Sequence, residues 1–157
     1  MNIVNKKCDI MEIPKLSIEE QELLWKAICD YSWYKTLAVN LRYYPSSRVE
    51  DRPTSIGMLD MWSREVRLFA DIPYDPFTEI RLFLRPLTSM TEKEKEQFFQ
   101  LMLCGNAVQI IEFYKENHFD YMLLIDKGLA FEATEDMYKH FGDMDVVVTS
   151  VEHKDKL

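Results

Sequence analysis

Glu79-Ile80-Arg81-Leu82-Phe83-Leu84-Arg85-Pro86-Leu87-Thr88-Ser89-Met90-Thr91-Glu92-Lys93-Glu94 changes its period part-way along, and that change decides the fold. Ile80, Leu82 and Leu84 alternate with Glu79, Arg81, Phe83 and Arg85, which predicts a strand with the first set facing in and the second facing out. Pro86 brings no N–H to a ladder and stops the strand. Thr91 with Glu94 three residues on is a capping box, so a helix opens there and runs through Phe98, Leu101 and Met102 to Leu103, with Gly105 as its stop. A second helix, about Asn106 to Asn117, carries Ala107, Ile110, Ile111 and Tyr114 at helical spacing. Asp120 then reads as the cap of a short helix reaching Asp126, with Gly128 in the left-handed position and Leu129–Phe131 as a short edge strand.

Upstream, Ser17-Ile18-Glu19-Glu20 is another capping box and opens a helix over 17–30 with Leu24, Ala27 and Ile28 on one stripe. Tyr31-Ser32-Trp33-Tyr34 closes it and reads as a core plug. Thr36 to Tyr44 alternates as a half-buried strand. Pro45 to Thr54 is a polar, proline-bracketed loop. Ser55–Trp62 and Arg64–Ala70 read as a hairpin turning near Ser63. The region 36–85 is therefore strand-rich and 91–127 helical. Consecutive strands with short links imply an antiparallel sheet with one solvated face. The expectation is an α+β fold: three to five antiparallel strands in the N-terminal half, then two to three helices packed on one face. No repeat, low-complexity stretch or linker divides residues 1–157, so they read as one domain. Residues 1–16 are poorly defined apart from a short strand near Cys8–Ile13. Residues 139–157 add a strand over Val146–Val151 and a frayed tail.

With 157 residues and 47% hydrophobic content, the chain can bury a sizeable core without a disulfide or metal staple. Three widely spaced cysteines suit reduced thiols and a cytoplasmic setting. The start lacks the apolar core of a signal peptide, and no apolar run nears the roughly 20 residues of a membrane span. Net charge is −8, which makes the protein a poor electrostatic match for a phosphate backbone. From Ile111 onward the net charge is −6, from eleven acids and five lysines, whereas every arginine falls between Arg42 and Arg85.

Catalytic signatures are sparse. Four scattered glycines leave no phosphate-binding or dinucleotide fingerprint, and no G-x-S-x-G, H-E-x-x-H or C-x-x-C occurs. Cys104 at a helix end reads as a small buried hydrophobe. The grouping most like a metal site is His118 and Asp120, with Asp126, Glu132, Asp136 and His140 nearby in sequence. Against that stand the cap role of Asp120 and the unremarkable place of His118 at a helix exit, so no metal and no cofactor is assigned. A second candidate is the outward sheet face, where Arg42, Arg67, Arg81 and Arg85 alternate with Tyr44, Phe83 and Trp62. Arginines interleaved with rings can hold single-stranded nucleic acid. They can equally pair with Glu65 and Glu79, leaving Phe83 covered by a loop or a partner.

Phe83-Leu84-Arg85-Pro86-Leu87-Thr88-Ser89-Met90-Thr91-Glu92 resembles the "(Y/F)-L-R-P-M-S-S-M-T-E-E-E" motif of an uncharacterised family of small proteins from phages, prophages and mobile elements of gut Bacteroides-type bacteria. Asn117-His118-Phe119-Asp120-Tyr121, Leu124-Ile125-Asp126-Lys127-Gly128-Leu129-Ala130, Glu132-Ala133 and Met137-Tyr138 are similar to its second motif, "H-H-F-D-Y-R-G-L-I-x-K-G-L-A-I-E-A-P-E-G-M-Y". Met122-Leu123 and Thr134-Glu135-Asp136 depart from it. The resemblance spans roughly Leu16 to Tyr138 and implies context, a phage or mobile-element protein in a bacterial cytoplasm, without implying a catalytic residue, cofactor or ligand. A non-enzymatic accessory protein acting through a protein partner, in a host-modulating or counter-defence role, is the first expectation. A single-stranded nucleic-acid accessory protein using the arginine face is the second, and a metal-dependent enzyme on His118 and Asp120 the third.

Overall fold

The computed structural model describes residues 12–44, 52–69 and 72–139. The strands near Cys8–Ile13 and Val146–Val151 fall wholly or largely outside these residues, as does His140.

Helix α1 spans Ile18–Tyr31 and starts with both hydrogen bonds of the Ser17–Glu20 capping box. Its Leu24, Ala27, Ile28 and Tyr31 are fully buried. Strands β1 (Leu37–Asn40), β2 (Thr54–Asp60), β3 (Glu65–Leu68), β4 (Asp75–Pro76), β5 (Ile80–Leu84) and β6 (Ala130–Glu132) form one sheet in the order β4-β3-β2-β1-β5-β6. Helices α2 (Glu92–Cys104) and α3 (Ala107–Glu116) lie between β5 and β6 in the chain. The fold is α+β, an antiparallel sheet followed by helices, with one parallel pair where β6 joins β5. The sixth strand is β4, of only two residues; β6, of three, lies where the short edge strand over Leu129–Phe131 was expected.

The core forms where α1 meets one sheet face. Leu24, Trp25 and Ile28 pack there with Ala38, Val66, Leu68, Ile80, Leu82 and Leu84, closed at one end by Leu124, Leu129 and Ala130. Strand alternation explains which residues take part: Ile80, Leu82 and Leu84 share a face, as do Val66 and Leu68. Trp25 meets Phe77 edge-on at 5.4 Å, and Arg64 reaches over Trp25 to pair with Glu22.

Three local expectations are corrected. The strand predicted over Thr36–Tyr44 ends at Asn40, because the Asn40 side chain accepts the Arg42 N–H at 2.9 Å and Tyr43 N–H bonds back to Asn40 O, making a turn. The helix predicted over Asp120–Asp126 is a series of turns with positive φ at Leu123 and Gly128. The helix-end aromatics divide: Tyr31 is fully buried and donates to Phe119 O, whereas Trp33 is 86% exposed. No helix among the described residues is long and apolar enough to cross a membrane.

Candidate functional site

The two motif stretches meet around one side chain. Arg85 follows β5, and its backbone N–H donates to His118 O while its own carbonyl accepts the Asp120 N–H, both at 2.8 Å. The sequence reading places Arg85 outward on a solvated face. Instead its guanidinium forms a two-pronged bond with Glu94, each prong 2.8 Å, and donates to Ser89 O and Asn117 O. It also lies 4.3 Å above the Phe119 ring. Glu94 simultaneously closes the Thr91 capping box. Burial would raise the Glu94 carboxyl, but Arg85 and Thr91 outweigh burial and hold it below the ordinary value.

Asp120 is buried, and its two carboxylate oxygens accept the N–H groups of Leu124 and Ile125 at 2.8 Å each. The predicted cap role therefore survives, but over a turn. His118 has a positive φ of 61°, an uncommon conformation for a non-glycine residue. Its ring stacks on Tyr138 with centroids 3.8 Å apart, and its Nδ1 lies 2.9 Å from the Thr36 hydroxyl. The Tyr138 hydroxyl accepts the Leu37 N–H and donates to Phe83 O. Register places Leu37 opposite Phe83, so this hydroxyl is a wedge at the end of the β1–β5 ladder.

A hydroxyl on an imidazole is a nucleophile–base arrangement in outline. Here Thr36 is fully buried and His118 nearly so, which closes the pair to any substrate. The metal-like grouping is not assembled either. Asp126 and Glu132 are exposed, Asp136 pairs with Lys139, and no cluster of three metal-ligating side chains exists among the described residues. Cys104, expected to be buried, is exposed beside a cleft of about 810 Å3 between α2 and α3, lined by Gln97, Gln100, Gln109 and Glu116. A smaller cleft of about 440 Å3 lies against Arg85, Glu94 and Tyr138.

Burial and the neighbouring Arg85 guanidinium push the His118 imidazole down to about 4. The folded protein thus binds this proton less readily than the unfolded chain, in which histidine titrates near about 6.5. The resulting stability is complete above the unfolded value and falls away as pH drops from about 6.5 to about 4, by roughly 3 kcal/mol. His118→Asn is expected to flatten that slope. Asparagine tolerates the positive φ, and urea melts at about pH 7 and pH 4.5 then differ less than for the wild type.

The arginine-and-ring face is redrawn as a whole. Phe83 and Arg81 are buried at 3% and 2% exposure, and all five β5 residues are covered on both faces. Tyr44 and Phe131 explain Phe83: the three rings meet pairwise with centroids 5.5–5.8 Å apart. Arg42 is exposed but pairs with Glu79 at 2.6 Å, the cross-strand pairing the sequence reading weighed for this face. What remains outward lies at the other end of the sheet. Met58 stands opposite Arg67 across the β2–β3 ladder, and the Tyr74 hydroxyl and Arg67 Nη1 both approach its sulfur. Phe69, Ile72 and Met61 are exposed nearby in the chain, and Trp62 at the hairpin tip is 98% exposed. Of this surface, the sequence reading held Arg67 and Trp62 and missed Met58, Phe69 and Ile72. An apolar residue at an outward position of the predicted strand Arg64–Ala70, as Phe69 is beside inward Leu68, was the signal for it.

Comparison of the chain with protein-family models, with curated proteins and with solved structures returns no match.

Proposed function

We propose that this is a non-enzymatic accessory protein of phage or mobile-element origin that acts in the bacterial cytoplasm by binding another protein, in a host-modulating or counter-defence role. The observation that carries the binding reading is the exposed apolar surface of the β2–β3 hairpin and the segment leading to β4: Met58, Trp62, Phe69 and Ile72. Exposed aromatic and methionine side chains in a group are the usual material of a protein contact. The origin and setting rest on the resemblance of the two motif stretches. The motif residues themselves are engaged in holding chain segments together, which supports a scaffold role for them.

Single-strand binding finds less support, because Arg42 and Arg85 are engaged by carboxylates and Arg81 is buried. The third reading finds less support, because among the described residues no three metal-ligating side chains come together.

The test is a crosslinking capture from Bacteroides-type lysate with wild-type protein and with Trp62→Ala and Phe69→Ser. Wild type is expected to retain one stoichiometric partner, and each variant to lose most of it, a change of tenfold or more per aromatic anchor. Melting temperature should hardly move, since surface changes usually cost within about 0.5 kcal/mol. Equal capture by wild type and both variants would refute the assigned surface. Capture of nucleic acid alone would refute the protein-binding reading.

A further inference from the structure

The rung nearest the tip of the β2–β3 hairpin pairs two acids. Asp60 stands directly opposite Glu65, one rung beyond Leu59 and Val66, which face the core. Alternation therefore sends both carboxylates to the outer face that also carries Met58 and Arg67. Like charges directly opposite each other weaken a ladder, and a neutral residue at either position would hold the hairpin better. The chain supplies no cation to relieve them. Arg64 bends over Trp25 on the core side to pair with Glu22, and Arg67 reaches the Met58 sulfur. Among the described residues no ion pair involves either acid. Asp60 Oδ1 accepts the N–H groups of Trp62 and Ser63 at 2.9 and 3.1 Å. These bonds hold its carboxyl below the ordinary value and so in the charged form.

The same two bonds set Trp62 at the turn, with its side chain 98% exposed. A ring face attracts a cation, that of tryptophan most strongly. The tip thus joins two uncompensated carboxylates to an open indole, and exposed Met58 and Phe69 continue the surface along the hairpin. A side chain with an apolar stem and a cationic head matches acids, ring and apolar surface together. Arginine matches best, since its flat guanidinium can both bond carboxylates and lie on an indole. The net charge of −8 draws a basic partner from a distance and repels a second copy of this chain.

Resting on the protein-binding reading above, we propose that the occupant of this surface is a basic segment of another protein, whose arginine or lysine seats against Asp60, Glu65 and Trp62. The probes are two capped pentapeptides, Arg-Leu-Arg-Leu-Arg and Glu-Leu-Glu-Leu-Glu, titrated calorimetrically into the full chain at low salt. Wild type should bind the arginine peptide saturably and leave the glutamate peptide unbound. Asp60→Asn with Glu65→Gln should weaken the arginine peptide about tenfold, as should Trp62→Ala. Glu92→Gln with Glu96→Gln, which removes the same charge from α2, should bind it like wild type.

Asparagine keeps an acceptor for the Trp62 and Ser63 N–H groups, so the hairpin double variant should melt at or above wild type. Glu65→Gln alone touches no bond of the turn and should still weaken the arginine peptide by roughly threefold. No saturable binding by wild type, or equal affinity in the hairpin and α2 double variants, overturns the proposal. The lysate capture described above separates it from the reading beneath it. A partner lost by Trp62→Ala but retained by Asp60→Asn with Glu65→Gln refutes the cationic seat alone, whereas one retained by all variants refutes the surface itself.

Discussion

Replacing Arg85 with alanine should cost about 3–5 kcal/mol, the largest loss expected from any single surface-reaching side chain in this protein. The pair it forms with Glu94 is largely buried, with side chains 19% and 16% exposed. Removing one partner leaves the other carrying an uncompensated charge, and it also uncovers the Phe119 ring and two carbonyls. For a chain of this size the melting temperature should fall by roughly 10 °C. Glu94→Ala should lose less, since Ser89 O and Asn117 O still accept from Arg85. Arg85→Met with Glu94→Leu should recover at least half of the loss, because two apolar side chains of similar volume avoid the cost of desolvating charge. Urea melts of Arg85→Ala, Glu94→Ala and the double variant Arg85→Ala with Glu94→Ala complete a double-mutant cycle. A coupling below about 0.5 kcal/mol would show that the pair contributes no more than an exposed one.

The second large effect belongs to Asp120. Its two oxygens each accept a backbone N–H, and hydrogen bonds to a charged group are worth about 1.5–3 kcal/mol each. Asp120→Ala is therefore expected to lower stability by about 3–5 kcal/mol and to loosen the turn over Tyr121–Gly128, which closes one end of the core through Leu124 and Leu129. The same residue was the best metal candidate in the sequence, so the experiment separates the two roles. Chelator should leave the wild-type urea midpoint where it is, and added Mn2+ or Zn2+ should not raise it. A chelator-treated wild type that falls to the level of Asp120→Ala would restore the metal reading.

Period and caps were the legible part of this sequence. Both capping boxes at Ser17 and Thr91 form with both hydrogen bonds, and Ile80, Leu82 and Leu84 face the core as their alternation requires. What alternation could not show is that the opposite face of β5 is also covered. Phe83 is hidden by Tyr44 and Phe131, residues 39 and 48 positions away, and nothing local announces that contact. The same blindness applies to Arg85. A strand-end arginine looks solvated until the chain returns, more than 30 residues later, to put Phe119 beneath it. The metal grouping shows the same limit of sequence proximity: among the described residues His118, Asp120, Asp126, Glu132 and Asp136 form no cluster of three metal-ligating side chains. The β2–β3 surface was half legible, because Trp62 and Arg67 were visible at outward positions while Met58 and Phe69 were read only as parts of a hairpin.

The backbone bonds on either side of Arg85 also bear on how the chain can change in length. Arg85 N–H meets His118 O and Arg85 O meets Asp120 N–H, so everything from Pro86 to Asn117 leaves and re-enters the sheet at one residue. Within that excursion α2 buries none of its side chains fully, and α3 buries only Phe113. Segments whose ends touch and whose interior contributes little to the core are where chains accept inserted or deleted residues. The α2–α3 connection is the natural port for a grafted tag or a second domain, although Gly105 itself must stay, since a Cβ there would sit 2.6 Å from Leu101 O. Such a graft would be felt by the rest of the fold through Arg85 and Glu94, and through Glu112, Phe113 and Tyr114 of α3, which meet Tyr34, Phe119 and Tyr121.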